Sequence, residues 1–196
     1  MKKVKFGIVS NDDVKIQTVK VQSSLDFQGV KEVLEDHIEM MYEEHSIAKD
    51  ENLYYCYLPS NTMRMYREES FDTLSEFEQG AMFLAVHKFE SSGRVRLFVS
   101  TLCMTNLICI IVDKDATGQE VYDTFHNQAN RIFLPTEYEL RMFPTQDENG
   151  YYLLVRDAND QLKVTDALRD RNIQNDDRFM VHIRRRGRTI VKTYQR

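Results

Sequence analysis

The sequence is poor in residues that break or staple a chain: its 196 residues include only 3 Pro, 7 Gly and 3 Cys. Hydrophobic residues make up 42% of the chain and charged residues 29%, so the scarcity of Pro and Gly excludes a low-complexity chain and points to packed elements. The cysteines, Cys56, Cys103 and Cys109, form no CxxC pair and cannot all be bridged to one another. That excludes a disulfide framework and leaves thiols buried in strands, the pattern of a reducing compartment. No apolar run approaches the ~18 to 20 residues that a membrane-spanning helix needs. The opening Met1-Lys2-Lys3-Val4-Lys5 leads into alternation, not into an apolar signal block. A cytoplasmic protein is expected.

Catalytic signatures are also lacking. There is no HExxH, GxSxG or P-loop, and no glycine-rich turn between a strand and a helix. His37, His45, His87, His126 and His182 are scattered without ligand spacing. The expectation is a protein that is not an enzyme, with no catalytic residue, no metal site and no cofactor.

What the chain does have is charge, unevenly placed. The net charge is −5, but residues 1–90 hold 10 Lys/Arg against 17 Asp/Glu and residues 91–196 hold 16 against 14, giving −7 and +2. Seven of the basic residues fall in the last 19 positions: Arg178, Arg184, Arg185, Arg186, Arg188, Lys192 and Arg196. This asymmetry points to an anionic partner at one end.

Hydrophobic periodicity organises the chain into two similar halves. Val4, Phe6 and Ile8 alternate with Lys3, Lys5 and Gly7, turn residues Asn11-Asp12-Asp13 follow, and Val14 to Val21 completes a hairpin. From Asp26 the period changes. Phe27, Val30, Val33, Leu34, Ile38 and Met41 stripe a helix running to about Glu44, whose opposite face carries Glu32, Glu35, Asp36, Glu39 and Glu43. Tyr54, Tyr55 and Tyr57 mark a strand ended by Pro59, a short segment follows near Met63 to Tyr66, and Ala81 to Phe89 reads as a last strand.

The second half repeats this order. Val95 to Ser100, a polar turn at Thr105-Asn106 and Leu107 to Val112 form a hairpin. Thr117-Gly118-Gln119-Glu120 is a capping box, with Val121, Phe125, Ala129 and Ile132 striping the helix behind it and Pro135 ending it. Tyr138 to Phe143 and Tyr151 to Val155 flank a turn at Asn149-Gly150, and Phe179 to Arg185 makes the last strand after the polar stretch Asn172 to Asp177. A hairpin packed across one helix and completed by later strands is the β-grasp, or ubiquitin-like, arrangement. The expected fold is therefore α+β: two tandem β-grasp domains, an acidic one over residues 1–90 and one over 94–188 with a basic C-terminal end.

Several stretches resemble the junction of the first two lobes of FERM-type heads such as those of talin and kindlin. They are Phe71-Asp72-Thr73-Leu74, Phe83 to Lys88, Arg94-Val95-Arg96-Leu97, Ile110-Ile111-Val112-Asp113 and Glu137-Tyr138-Glu139-Leu140. In that family the first lobe ends in an alternating strand and a Val-Asp precedes the second lobe's helix, as Val112-Asp113 does in this sequence. The stretches Ala167 to Arg169 and Phe179 to Arg185 are similar to the end of the second lobe. The resemblance implies a scaffold whose first lobe binds a Ras- or Rap-type small GTPase, and it carries nothing over about integrin tails.

In the Ras-associating mode, a second strand pairs edge to edge with a strand of the GTPase while basic residues meet acidic switch residues. Lys15 and Lys20 lie on that strand, Lys3 and Lys5 on its neighbour and Lys31 on the helix. The cluster Arg184, Arg185, Arg186 and Arg188, with Lys192, exceeds what a strand end needs and suits an anionic membrane or an acidic partner. Aromatic residues are not interleaved with these cations and the chain is acidic, which argues against nucleic acid. The expected function is thus non-enzymatic protein binding, at the membrane periphery or on the cytoskeleton. The alternative is a two-lobed ubiquitin-like modifier, processed near Gly187, for which Arg185-Arg186-Gly187 stands where the tail of ubiquitin would; Gly187 is followed by nine further residues.

Overall fold

The computed structural model describes residues 1–49, 52–60, 62, 64–100, 107–132, 151–157 and 160–184. The chain divides into two compact units, Met1–Glu90 and Ser91–Arg196. The fold is mixed α+β, and among the described residues each unit holds a five-stranded mixed sheet and one long helix.

The first unit opens with strands β1 (Lys2–Ser10) and β2 (Asp13–Val21), paired antiparallel from Ser10↔Asp13 to Lys2↔Val21. The two-residue turn between them places Asn11 at φ 54, a left-handed conformation that Asn tolerates. Helix α1 (Phe27–His45) starts where the Asp26 carboxylate accepts from the Gly29 N–H at 2.8 Å and stops at Ser46, whose φ is 53. Strands β3 (Leu53–Leu58), β4 (Tyr66–Arg67) and β5 (Met82–His87) complete the sheet in the order β2-β1-β5-β3-β4, with β5 parallel to β1. A 3-10 turn over Glu68–Thr73, which periodicity does not announce, leads out of β4 and buries Phe71.

Alternation explains which face the helix covers. Val4, Phe6 and Ile8 of β1 and Phe83 and Ala85 of β5 pack with Phe27, Val30, Leu34, Ile38 and Met41 of α1. Aromatic rings fill the end of this core: Phe27 meets Tyr57 edge-on at 4.9 Å, and Phe71, Phe77 and Phe83 lie within 6.1 Å of it. Burial of side chains of this size stabilises by roughly 1.5–3 kcal/mol each, which is why the helical stripe survives a chain poor in local staples.

The second unit repeats the order. Strands β6 (Arg94–Ser100) and β7 (Leu107–Asp113) pair antiparallel, helix α2 (Gly118–Ile132) follows, and β8 (Tyr151–Asp157), β9 (Asp160–Gln161) and β10 (Asp177–Arg184) give the sheet β7-β6-β10-β8-β9. Strand β10 lies parallel to β6, as β5 does to β1. The capping box forms as the sequence implies: the Glu120 N–H donates to Thr117 Oγ1 at 3.3 Å, and Glu120 Oε2 accepts from the Thr117 N–H at 2.7 Å. A loop adds further caps, since the Gly118 and Gln119 N–H groups donate to the carbonyls of Asp166 and Val164. A Cβ on Gly118 would stand 1.9 Å from the Lys163 carbonyl oxygen, so this approach requires glycine.

Val121, Phe125 and Ala129 are buried against Val95, Leu97, Val99, Ile108 and Ile110. Cys56 and Cys109 are buried on β3 and β7. Cys103, the turn at Thr105-Asn106, the helix stop at Pro135, the strand at Tyr138 to Phe143 and the turn at Asn149-Gly150 lie outside the described residues, as does Met63. Among the described residues, no helix is long and apolar enough to cross a membrane.

Candidate interaction site

Sequence position does not decide which lysines can act together; the strand register does. Lys3 stands directly opposite Lys20, and Lys5 opposite Thr18, whereas Val4, Phe6 and Ile8 stand opposite Val19, Gln17 and Lys15. Because directly opposed side chains share a face, Lys3, Lys5 and Lys20 lie on the face away from α1, and Lys15 lies on the helix side. Lys3 and Lys20 are exposed, and Lys5 is half-buried. Burial pushes the Lys5 ammonium below its ordinary value. The Lys15 ammonium lies 3.0 Å from the Asp13 carboxylate at the end of the strand.

The structure separates Lys31 from this group. Its ammonium lies between Glu35 at 3.1 Å and Glu68 at 3.3 Å, and 4.9 Å from the centre of the Tyr55 ring. Tyr55 belongs to β3, next to the β4 edge and three strands away from β2. Desolvation works against the charged lysine, but hydrogen bonds to Glu35 and Glu68 outweigh it and raise the pKa. The Tyr55 phenol is pushed up to about 12, first by burial and then by Glu35 and Glu68. Lys31 is therefore held between two carboxylates and adds no cation to the β2 side.

Among the described residues, strand β2 is an outer strand of its sheet, hydrogen-bonded to β1 alone. Its nine residues present one row of backbone N–H and C=O groups away from β1. A polar latch fixes the strand to the helix below: Gln17 Nε2 donates to Glu44 at 2.7 Å, and Gln17 Oε1 lies 2.8 Å from His37 Nε2. His37 also meets the Phe6 ring edge-on at 5.7 Å. Neither Gln17 nor His37 stands out in the sequence. Read against the hairpin register, Gln17 occupies a helix-facing position between Val19 and Lys15, and a polar residue there needs a partner on the helix.

Of the arginine cluster, Arg184 ends β10 opposite Tyr151, while Arg185, Arg186, Arg188 and Lys192, and Gly187 with them, lie outside the described residues. Among the described residues, no group of three or more His, Cys, Asp and Glu could hold a metal ion.

The second unit contains a buried ion pair that charge counting does not single out. Arg96 Nε and Nη2 donate to the two carboxylate oxygens of Asp176 at 2.5 and 3.0 Å, with both side chains inaccessible. The Asp176 N–H donates to the Arg96 carbonyl at 2.6 Å, and the Arg96 N–H to Asn175 Oδ1 at 2.8 Å. This fork holds the turn before β10 onto the start of β6, and Asp176 takes a φ of 66 to make it. The arginine on an otherwise apolar strand, Val95-Arg96-Leu97, was the available signal. The chain matches no protein-family model, and no curated protein matches it.

Proposed function

We propose that the two units are a tandem pair of β-grasp domains, of the FERM-type kind, and that the chain is a non-enzymatic interaction module. Its first unit docks an acidic partner by strand addition along β2. The sheet orders β2-β1-β5-β3-β4 and β7-β6-β10-β8-β9, each with a central parallel pair and a helix after the hairpin, support the fold reading. They are the order a β-grasp sheet takes when its first and last strands lie side by side.

The observation that carries the partner reading is the β2 edge itself. It is a nine-residue outer strand, with Lys20 facing Lys3 across the register and Lys15 on its other face. Like charges directly opposite one another are destabilising by a fraction of a kcal/mol, and an acidic strand laid alongside relieves that repulsion. Edge lysines also deter indiscriminate strand pairing, so the same residues select for an acidic partner. A Ras- or Rap-type GTPase, presenting a strand beside acidic switch residues, has this chemistry, and the basic cluster from Arg184 to Lys192 suits an anionic membrane surface.

Capture on the full chain of small GTPases of this type, loaded with a GTP analogue or with GDP, tests the reading. The active form is expected to be retained preferentially, and retention is expected to fall on the order of tenfold or more with Lys15→Glu and Lys20→Glu together. Equal recovery of both nucleotide states, or recovery indifferent to the two substitutions, sinks the proposal.

A further inference from the structure

The second unit has its own outer strand, β7, and the space beside it differs from that beside β2. In the first unit, Gln17, His37 and Glu44 bridge the outer strand to the helix. In the second, a cleft of about 320 Å³ lies between β7 and α2. Its helix wall is a single stripe, Glu120, Asp123, Thr124 and Asn127, whose i, i+3, i+4 and i+7 spacing puts them on one face of α2. Its strand wall is Ile111, Val112 and Asp113, with Arg94 at the same end.

We infer that this cleft is a second docking site, independent of β2 and of opposite polarity, which takes an extended basic segment of a partner protein as an added strand on β7. Charge complementarity selects the occupant. Asp113, Glu120 and Asp123 are all exposed, and Arg94, the one cation among the described lining residues, is 3.8 Å from Asp113. Hydrogen bonds from the Thr117 N–H and hydroxyl to one Glu120 oxygen hold that carboxylate below its usual range, so it stays ionised. Asp123 accepts from the Gln119 side chain at 2.8 Å through Oδ1. A strand seated on β7 would turn alternate side chains toward this helix stripe, where Lys or Arg at every second position meets Glu120 and Asp123. Among the described residues, β7 pairs with β6 alone. The half-buried Ile111 gives the seated chain an apolar contact beside its backbone bonds.

The test uses the full chain and a short synthetic peptide alternating lysine with valine and threonine, with a glutamate version as control. Amide NMR shifts are expected at Leu107–Asp113 and at Glu120, Asp123, Thr124 and Asn127, saturating with the lysine peptide and not with the glutamate one. Raising the salt concentration to about 0.5 M should weaken binding, because exposed charges are then screened. Asp113→Lys with Asp123→Lys should weaken it on the order of tenfold or more, and the neutral pair Asp113→Asn with Asp123→Asn by less. The neutral pair carries the test if the reversed pair does not fold. Lys15→Glu with Lys20→Glu should leave peptide binding unchanged, which separates this site from the β2 proposal. Shifts confined to β2, equal response to the two peptides, or indifference to both Asp variants would overturn the inference. So would self-association of the chain that the Asp variants abolish, since it would assign the edge to a second copy.

Discussion

Tyr122 shows how one hydroxyl can hold several elements together. It sits on α2 inside the second core, donates to the Leu162 carbonyl at 2.8 Å and accepts from the Leu154 N–H at 2.8 Å. Leu154 lies on β8 and Leu162 just beyond β9, so the phenol ties the helix to both. Burial, opposed by the hydrogen bond from Leu154, pushes its pKa up to about 12. Replacing Tyr122 with Phe keeps the ring and leaves a buried N–H and a carbonyl without this partner. The expected cost is about 1–3 kcal/mol, read as a lower urea midpoint with an unchanged slope. A midpoint equal to that of the parent protein would show that the ring alone matters. In the first unit the Tyr42 hydroxyl and His87 Nε2 are 2.6 Å apart, another tyrosine tying its helix to the sheet.

At the scale of elements, the short strand β9 and the 3-10 turn Leu168–Arg171 are joined by a network of ion pairs beside the buried Leu162 and Leu168. Arg156 on β8 contacts Asp160 at 2.6 Å and Asp177 at 2.9 Å, while Arg171 contacts Asp166 at 2.9 Å and also Asp160. Partial burial disfavours the charged Asp160, but Arg156 and Arg171 outweigh it and hold the carboxyl below its ordinary range. A depressed carboxylate stabilises the fold above its unfolded pKa of about 3.9 and loses that contribution as pH falls through the lower folded value. Asp160→Asn is therefore expected to lower stability near neutral pH and to flatten the acid limb of the stability–pH curve below about pH 4. Urea unfolding at a series of pH values checks it; an acid limb as steep as the parent's would locate the titration elsewhere. The helices, the hairpin of the first unit and the Thr117 capping box were legible because they rest on local spacing. Strand β9 and the 3-10 turns at Glu68–Thr73 and Leu168–Arg171 were not, because their pairings, such as Asp160 with Arg171 over 11 positions and Arg156 with Asp177 over 21, follow no helical or strand period. The lysines were legible as cations, but not their division between two faces, which depends on the pairing of Lys3 with Lys20 and of Ile8 with Lys15. Lys31 illustrates the limit: its spacing places it on a helix, yet Glu68, which pairs with it, comes from a turn that periodicity does not announce.

At the scale of the whole molecule, one sheet order is used twice with different charge. The first unit is strongly acidic, yet carries lysines along its outer strand; the second is slightly basic, yet carries carboxylates beside its outer strand. Local charge at an edge, and not the net charge of a unit, then decides what each edge attracts, because screening limits the reach of exposed charges to about 8 Å at physiological salt. The same reasoning applies to the basic cluster that begins at Arg184, where β10 ends. Arg184, Arg185 and Arg186 are consecutive in the sequence, a local cluster of positive charge within a chain of net charge −5. Each cation near an anionic bilayer is worth about 1 kcal/mol, so changing all of them to Ala should cost about 3 kcal/mol, or roughly a hundredfold in vesicle affinity. Co-sedimentation with vesicles containing phosphatidylserine, compared with neutral vesicles, measures it. Loss of binding that also occurs in the parent protein at high salt supports an electrostatic membrane contact, whereas unchanged sedimentation of the triple variant returns the arginines to ordinary solvent-facing charge.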